Sequence, residues 1–115
     1  ICQENTLIAG VGTDIVEIER LKDKPDLWKR FLSLKDFEYI GKFKDPLERI
    51  AGFWAAKEAL VKALDDKTIE FTEINIIHNE NGKPHFENVP HTGIFHLSIS
   101  HERKFATAVV VWEKL

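Results

Sequence analysis

The run "FWAAKEALVKAL", residues 53–64, constrains this chain more than any other stretch. It is apolar, dominated by strong helix formers and free of Gly and Pro, so it reads as a helix with most of its surface covered. The pattern extends it from about Pro46, a good first-turn residue, to about Asp65. Three charges interrupt it: Lys57, Glu58 and Lys62. On a wheel of ~100° per residue, Glu58, Lys62 and Asp65 fall in one narrow sector, with Lys57 about 100° from Glu58. Ala51, Trp54 and Ala55 share or border that sector, so it is continuous with small and aromatic residues rather than with a broad solvated face. One account is a surface Glu–Lys pair of about 0.3–0.5 kcal/mol. The other is a working pair of charges on a helix that is otherwise core.

The 115 residues fit a single domain, 1–115, with a thin but real core. An apolar fraction of 43% is that of a globular chain rather than a disordered one. No apolar run approaches the ~18 residues of a membrane span, and no basic-then-apolar signal opens the chain. The sequence starts at Ile1 and contains no Met, so a processed start is expected. The single cysteine, Cys2, cannot form an internal disulfide, which fits a reducing cytoplasm. A net charge of −3 argues against a nucleic-acid partner. Locally, residues 20–30 carry Arg20, Lys22, Lys24, Lys29 and Arg30 against Asp23 and Asp26.

Residues 7–16, "LIAGVGTDIV", read as a buried strand, and Gly10 and Gly12 weaken it unless something approaches the backbone closely. Residues 17–34 read as one or two short amphipathic helices broken near Pro25, and 36–43 as another. From residue 71 the period changes. "FTEINIIH" alternates like a strand, "NENGKP" (79–84) carries the Asn81-Gly82 hairpin dipeptide, and "PHFENV" reads as a short edge strand. "IFHLSISH" (94–101) and "FATAVVVWE" (105–113) read as two strands joined by a short turn. The class is α+β: a mostly antiparallel sheet, the long helix across it, and short helices after the first strand.

Asp14 ends an otherwise apolar strand. It suits a cap or turn, and it equally suits a metal. Mg²⁺ takes one or two protein carboxylates together with waters and substrate phosphate oxygens. Asp14 and Glu58 supply such a pair if the strand lies beside the helix, and Lys62 then faces the same phosphate. In "HLSISHE", His96, Ser98 and Ser100 share a strand face and His101 falls at the end. That is either a polar hairpin or an anion-binding strand end. His78, His85 and His91 lack metal-ligand spacing, and there is no P-loop or dinucleotide fingerprint.

Taken together and in order, "GVGTDIVEIERL", "FWAAKEALVKAL", "NGKP" and "HLSISHE..FATAVVV" resemble the holo-acyl-carrier-protein synthase family, the short single-repeat bacterial class of 4′-phosphopantetheinyl transferases. The resemblance covers nearly the whole chain. It implies transfer of the phosphopantetheine arm of coenzyme A to a serine of apo-acyl carrier protein, Mg²⁺-dependent, in fatty acid biosynthesis, with adenosine 3′,5′-bisphosphate as by-product. By that resemblance Asp14 and Glu58 hold Mg²⁺, and Glu58 and Lys62 are catalytic. Lys62, Ser100, His101 and, less securely, Asn81, Gly82, Lys83 and Pro84 contact coenzyme A. Glu58 takes the serine proton directly or through a water on the metal, the water route being preferred. Arg20 and Arg30, with Phe31 as an apolar anchor, match a docking helix for the acidic carrier protein. The family's homotrimer has its active site between subunits.

Lys57 is expected to be a supporting or substrate-edge charge. The chain also departs from the family, which often has Arg where Phe53 stands; Arg49, one turn earlier on nearly the same face, is the candidate replacement. The competing function class is a non-catalytic module binding coenzyme A or a nucleotide through the same anion contacts without metal.

Overall fold

Two glycines set how closely the long helix sits on the sheet. In the computed structural model, which describes residues 5–115, β1 is Leu7–Glu17 and the long helix, α3, is Leu47–Leu64. Cys2 and the chain start lie outside the described residues. A Cβ at Gly10 would meet the Ala63 carbonyl oxygen at 1.8 Å, and one at Gly12 the Ala59 carbonyl oxygen at 1.9 Å. What approaches the strand closely is therefore the backbone of α3. Its contact face is small to match, with Ala55, Ala56, Ala59 and Ala63 all buried. Because a helix carbonyl cannot swing aside as a side-chain tip can, Gly12→Ala is expected to cost about 3 kcal/mol of unfolding free energy in urea titrations. A loss under 0.5 kcal/mol would contradict this packing.

The helix ends where Asp65 takes a left-handed conformation (φ 51°) and the Asp66 N–H donates to the Val61 carbonyl at 3.3 Å. Pro46 is its N-cap. Both ends fall within a residue of the expected bounds.

Three strands form one antiparallel sheet in the order β1-β5-β4, with β4 at Ile94–His101 and β5 at Phe105–Lys114. Gly12 pairs with Val110 and Asp14 with Ala108. Across β5, Leu97 also pairs with Val110 and Ile99 with Ala108. Val16, Leu97, Ala106, Ala108 and Val110 turn toward α3. The opposite face carries exposed apolar residues, Val11 at 58%, Ile15 at 63% and Val109 at 39%, interspersed with the exposed Thr13, Ser98 and Ser100. β1 is thus not the fully buried strand its composition predicts. Its inward positions are small because the helix backbone takes the room, and its large residues point out.

A second, two-stranded sheet pairs β2 (Asn75–His78) with β3 (Pro84–Glu87). Phe71–Glu73, expected to open that strand, form a 3₁₀ turn instead. The hairpin turn is built by Asn79, whose carbonyl accepts from the Gly82 N–H (2.9 Å) and whose Oδ1 accepts from the Lys83 N–H (2.8 Å). Gly82 takes φ +87°, while Asn81 does not enter the left-handed region. The turn therefore needs one left-handed residue rather than the two of a primed Asn-Gly turn.

Between β1 and α3 the chain makes a 3₁₀ turn at Ile18–Leu21, helix α1 (Pro25–Trp28) and helix α2 (Leu34–Ile40). Pro25 opens α1 rather than breaking a helix. α2 starts earlier than expected because Ser33 and Asp36 form a reciprocal capping box. No helix among the described residues is long and apolar enough to cross a membrane.

Candidate active site

The three charges of α3 separate by burial. Lys57 is fully buried, and its Nζ donates to Asp36 Oδ2 (2.6 Å) and to the carbonyls of Phe31 (2.6 Å), Ile74 (2.7 Å) and Phe71 (2.8 Å). Burial pulls its pKa below the ordinary lysine value, and the Asp36 carboxylate opposes that pull. Four acceptors and no donor surround it, an arrangement that suits the ammonium, whose three N–H groups they share, and not an amine with a lone pair. Asp36 is equally buried and accepts from the Ile76 N–H (2.9 Å) and the Ser33 N–H (3.0 Å). Lys57 is therefore not a charge at a substrate's edge. It is the post to which the α1–α2 segment, the 3₁₀ turn and β2 are tied.

One residue on, about 100° round the helix, Glu58 turns to the same cleft as Asp14. The two line one cleft of about 300 Å³ together with Arg20, Lys24, Leu27 and Trp54. Lys62 joins them: its Nζ donates to Asp14 Oδ1 (3.1 Å) and to the Thr13 carbonyl (2.9 Å). Asp14 is drawn in, its side chain 18% exposed, by its inward place on β1 opposite Ala108. Trp54 Nε1–H donates to Glu58 Oε1 at 3.2 Å.

Among the described residues, no three His, Cys, Asp or Glu side chains form a metal-holding group. Two carboxylates at one cleft still fit a hard cation that keeps waters and takes substrate oxygens, and they do not fit a closed all-protein cage. The Lys62 ammonium on Asp14 Oδ1 marks the same spot as one that favours positive charge.

The residues expected to hold the nucleotide divide. Gly82, Pro84 and His101 line a separate cleft of about 200 Å³ with Tyr39, Arg49, Phe53 and His78. Ser100 does not line it: on the pleat opposite to Ile99 and His101, it is exposed on the far face of the sheet. Asn81 and Lys83 sit in the turn without lining it. His101 Nδ1 lies 3.1 Å from Glu48 Oε2.

The cleft's wall is aromatic. Tyr39 and His78 stack at 4.0 Å and 7°, and Phe53 lies 5.8 Å from Tyr39 at 20°. Burial lowers the His78 pKa, and the positive charge of Arg49 adds to that effect. Phe53 is core, while Arg49 faces this cleft with its guanidinium 3.6 Å above the Phe43 ring. That puts a cation beside the position where the family often has one. A larger hollow of about 480 Å³, lined by Glu17, Glu19, Asp45, Glu48, Arg103 and Lys104 among others, holds none of the expected site residues.

Arg20 lines the carboxylate cleft, and Arg30, ten residues on, is exposed and does not line it. Phe31 is corrected: at 2% exposure it is core, its ring 4.9 Å from that of Trp54, and it presents no apolar surface to a partner. Tyr39, His78 and Asn79 were not anticipated. The only signal for the last two was their place at the end of a strand and the start of a hairpin turn. Trp54 had a clearer one, its i, i+4 spacing from Glu58.

A family model described as the 4′-phosphopantetheinyl transferase superfamily matches residues 10–110. A holo-[acyl-carrier-protein] synthase of Halothermothrix orenii is 44% identical over 124 residues, covering 94% of this chain and 99% of the relative. One of Anoxybacillus flavithermus is 36% identical over 118 residues, with 95% and 98% covered. Among solved structures, the Bacillus anthracis holo-(acyl-carrier-protein) synthase in complex with coenzyme A (3′,5′-ADP) superposes with a TM-score of 0.86 at 35% identity, over 94% of this chain and 98% of that one. The Neisseria meningitidis synthase gives 0.84 at 30% identity, over 94% and 100%.

Proposed function

The chain belongs to the 4′-phosphopantetheinyl transferase superfamily, and on that premise we propose that it transfers phosphopantetheine from coenzyme A to a serine of apo-acyl carrier protein. The observation that carries this reading is that Asp14 and Glu58 line one cleft and that Lys62 donates to Asp14 there. Asp14 and Glu58 are the residues to hold Mg²⁺. The chemistry a bound Mg²⁺ supplies there is neutralisation of the diphosphate as its bridging P–O bond breaks.

This chain's residues do the rest. Glu58 takes the serine hydroxyl proton, relayed by a water, as the new O–P bond forms. The departing adenosine 3′,5′-bisphosphate takes the electron pair of the broken bond, and Lys62 donates hydrogen bonds to its new phosphate oxygens. Arg49, His101 and the flat wall of Tyr39, His78 and Phe53 receive the nucleotide end.

The active site is completed between subunits of a homotrimer. Two features support this. The carboxylate cleft and the nucleotide cleft share no lining residue. On the outer sheet face Val11, Ile15 and Val109 expose apolar surface. The enzyme works in the cytoplasm, in fatty acid biosynthesis.

The test is mass spectrometry of a purified apo-acyl carrier protein with coenzyme A. A gain of one phosphopantetheine group with Mg²⁺, and none with chelator, is expected. Unmodified carrier in both conditions, with coenzyme A binding unaffected by chelator, would favour the non-catalytic module instead.

The exposed Arg30 meets the acidic carrier electrostatically. Arg30→Glu is expected to raise the KM for carrier protein about tenfold at low salt with kcat unchanged, the difference shrinking at 0.5 M salt. Equal KM values at low salt would remove Arg30 from the docking surface.

A further inference from the structure

We infer that Trp54 is a positioning residue that aims the Glu58 carboxylate at the shared cation. The inference rests on the metal reading above. A glutamate side chain loses rotamer freedom when it is fixed, so a carboxylate that must meet an ion gains from being oriented beforehand. Trp54 does this from one helical turn before Glu58. Its Nε1–H is a donor only, and it occupies Oε1 at 3.2 Å. Oε2 carries no protein hydrogen bond among the described residues and is left for the cleft.

The indole is itself held. Phe31 packs on it, with ring centroids 4.9 Å apart and 43° between planes. Phe31 is fixed in turn by its carbonyl, which accepts from the buried Lys57 ammonium at 2.6 Å. The series Lys57, Phe31, Trp54, Glu58 is thus continuous. It links the segment that bears Arg30 to one of the two carboxylates of the cleft. Trp54→Phe keeps an aromatic ring beside Phe31 but leaves Oε1 without its donor.

The experiment is Mn²⁺ binding to the full-length protein with coenzyme A present, read by electron spin resonance of the free ion. Four forms are compared: wild type, Trp54→Phe, Glu58→Gln and the double variant. Trp54→Phe is expected to weaken Mn²⁺ about tenfold, the low end for losing an outer partner of a metal ligand. In the Glu58→Gln background the same change is expected to have no further effect, because the two act through one carboxylate. Replacing Trp54 by 3-benzothienylalanine, which keeps the bicyclic shape and lacks the N–H, is expected to reproduce the loss and covers a phenylalanine variant that folds poorly.

Mn²⁺ affinity of the benzothienyl form within twofold of wild type overturns the inference, as does an undiminished Trp54 effect in the Glu58→Gln background. Either result leaves the metal reading intact if Glu58→Gln alone weakens Mn²⁺. If Glu58→Gln binds Mn²⁺ as wild type does, the metal reading fails and the role of Trp54 fails with it.

Discussion

Asp14→Asn and Glu58→Gln are each expected to lower kcat for carrier modification by about a thousandfold or more, with a melting temperature within a few degrees of wild type. Both carboxylates line a cleft rather than the core, so neutralising them removes charge without opening a cavity. The two losses should not add. Because both carboxylates hold the same ion and Glu58 also takes the serine proton, the double variant is expected to fall little below Glu58→Gln. Lys62→Met is a useful control: it removes the cation that now sits on Asp14 Oδ1 at 3.1 Å and is expected to slow turnover without weakening metal binding. A Glu58→Gln enzyme that retains more than a tenth of wild-type kcat would contradict the role given to that residue.

The largest effect on stability is expected one residue away. Lys57→Met keeps most of the side chain's volume but leaves the Asp36 carboxylate, fully buried, without its counter-ion. It also takes the ammonium donor from the carbonyls of Phe31 and Ile74, while the Phe71 carbonyl keeps the Ile74 N–H. Breaking a buried pair by removing one partner costs about 3–5 kcal/mol, enough to unfold a marginal domain at ambient temperature. Urea unfolding at one fixed protein concentration measures it, since assembly would otherwise shift the midpoint. Asp36→Asn in the same background should recover part of the loss, because the amide needs no counter-ion and its oxygen can still accept from Ile76 or Ser33. A Lys57→Met protein within 1 kcal/mol of wild type would mean that the ammonium is not the post described.

These neighbours on one helix illustrate what a sequence can and cannot carry. Their order along α3, and the i, i+4 relation of Glu58 to Lys62 and of Trp54 to Glu58, follow from helix geometry alone. So does the need for something to lie close against Gly10 and Gly12, whose missing side chains admit the Ala63 and Ala59 carbonyls. The burial of Lys57 does not follow. Its partners come from residues 31, 36, 71 and 74, and no local period brings those to one point. The same non-local packing turned Phe31 from a surface anchor into core, because Trp54 from α3 covers it.

Strand alternation gave the face of Ser100 correctly, but not which face looks toward the nucleotide cleft. That depends on where α3 lies. The apolar run of β1 was legible as a strand and misleading as a buried one, since its large residues point away from the helix. The aromatic wall of Tyr39, Phe53 and His78 joins three separate elements and had no signature in any one of them.

The central claim is that Asp14 of β1 and Glu58 of α3 grip a single divalent cation together with the diphosphate of coenzyme A. Its most direct measurement is a crystal grown with coenzyme A and Mn²⁺, with the metal located by anomalous scattering. One strong peak within about 2.0–2.3 Å of a carboxylate oxygen from each residue, and of diphosphate oxygens, is the predicted result. A diphosphate bound in the cleft with Mn²⁺ touching neither carboxylate, or only one of them, would contradict it.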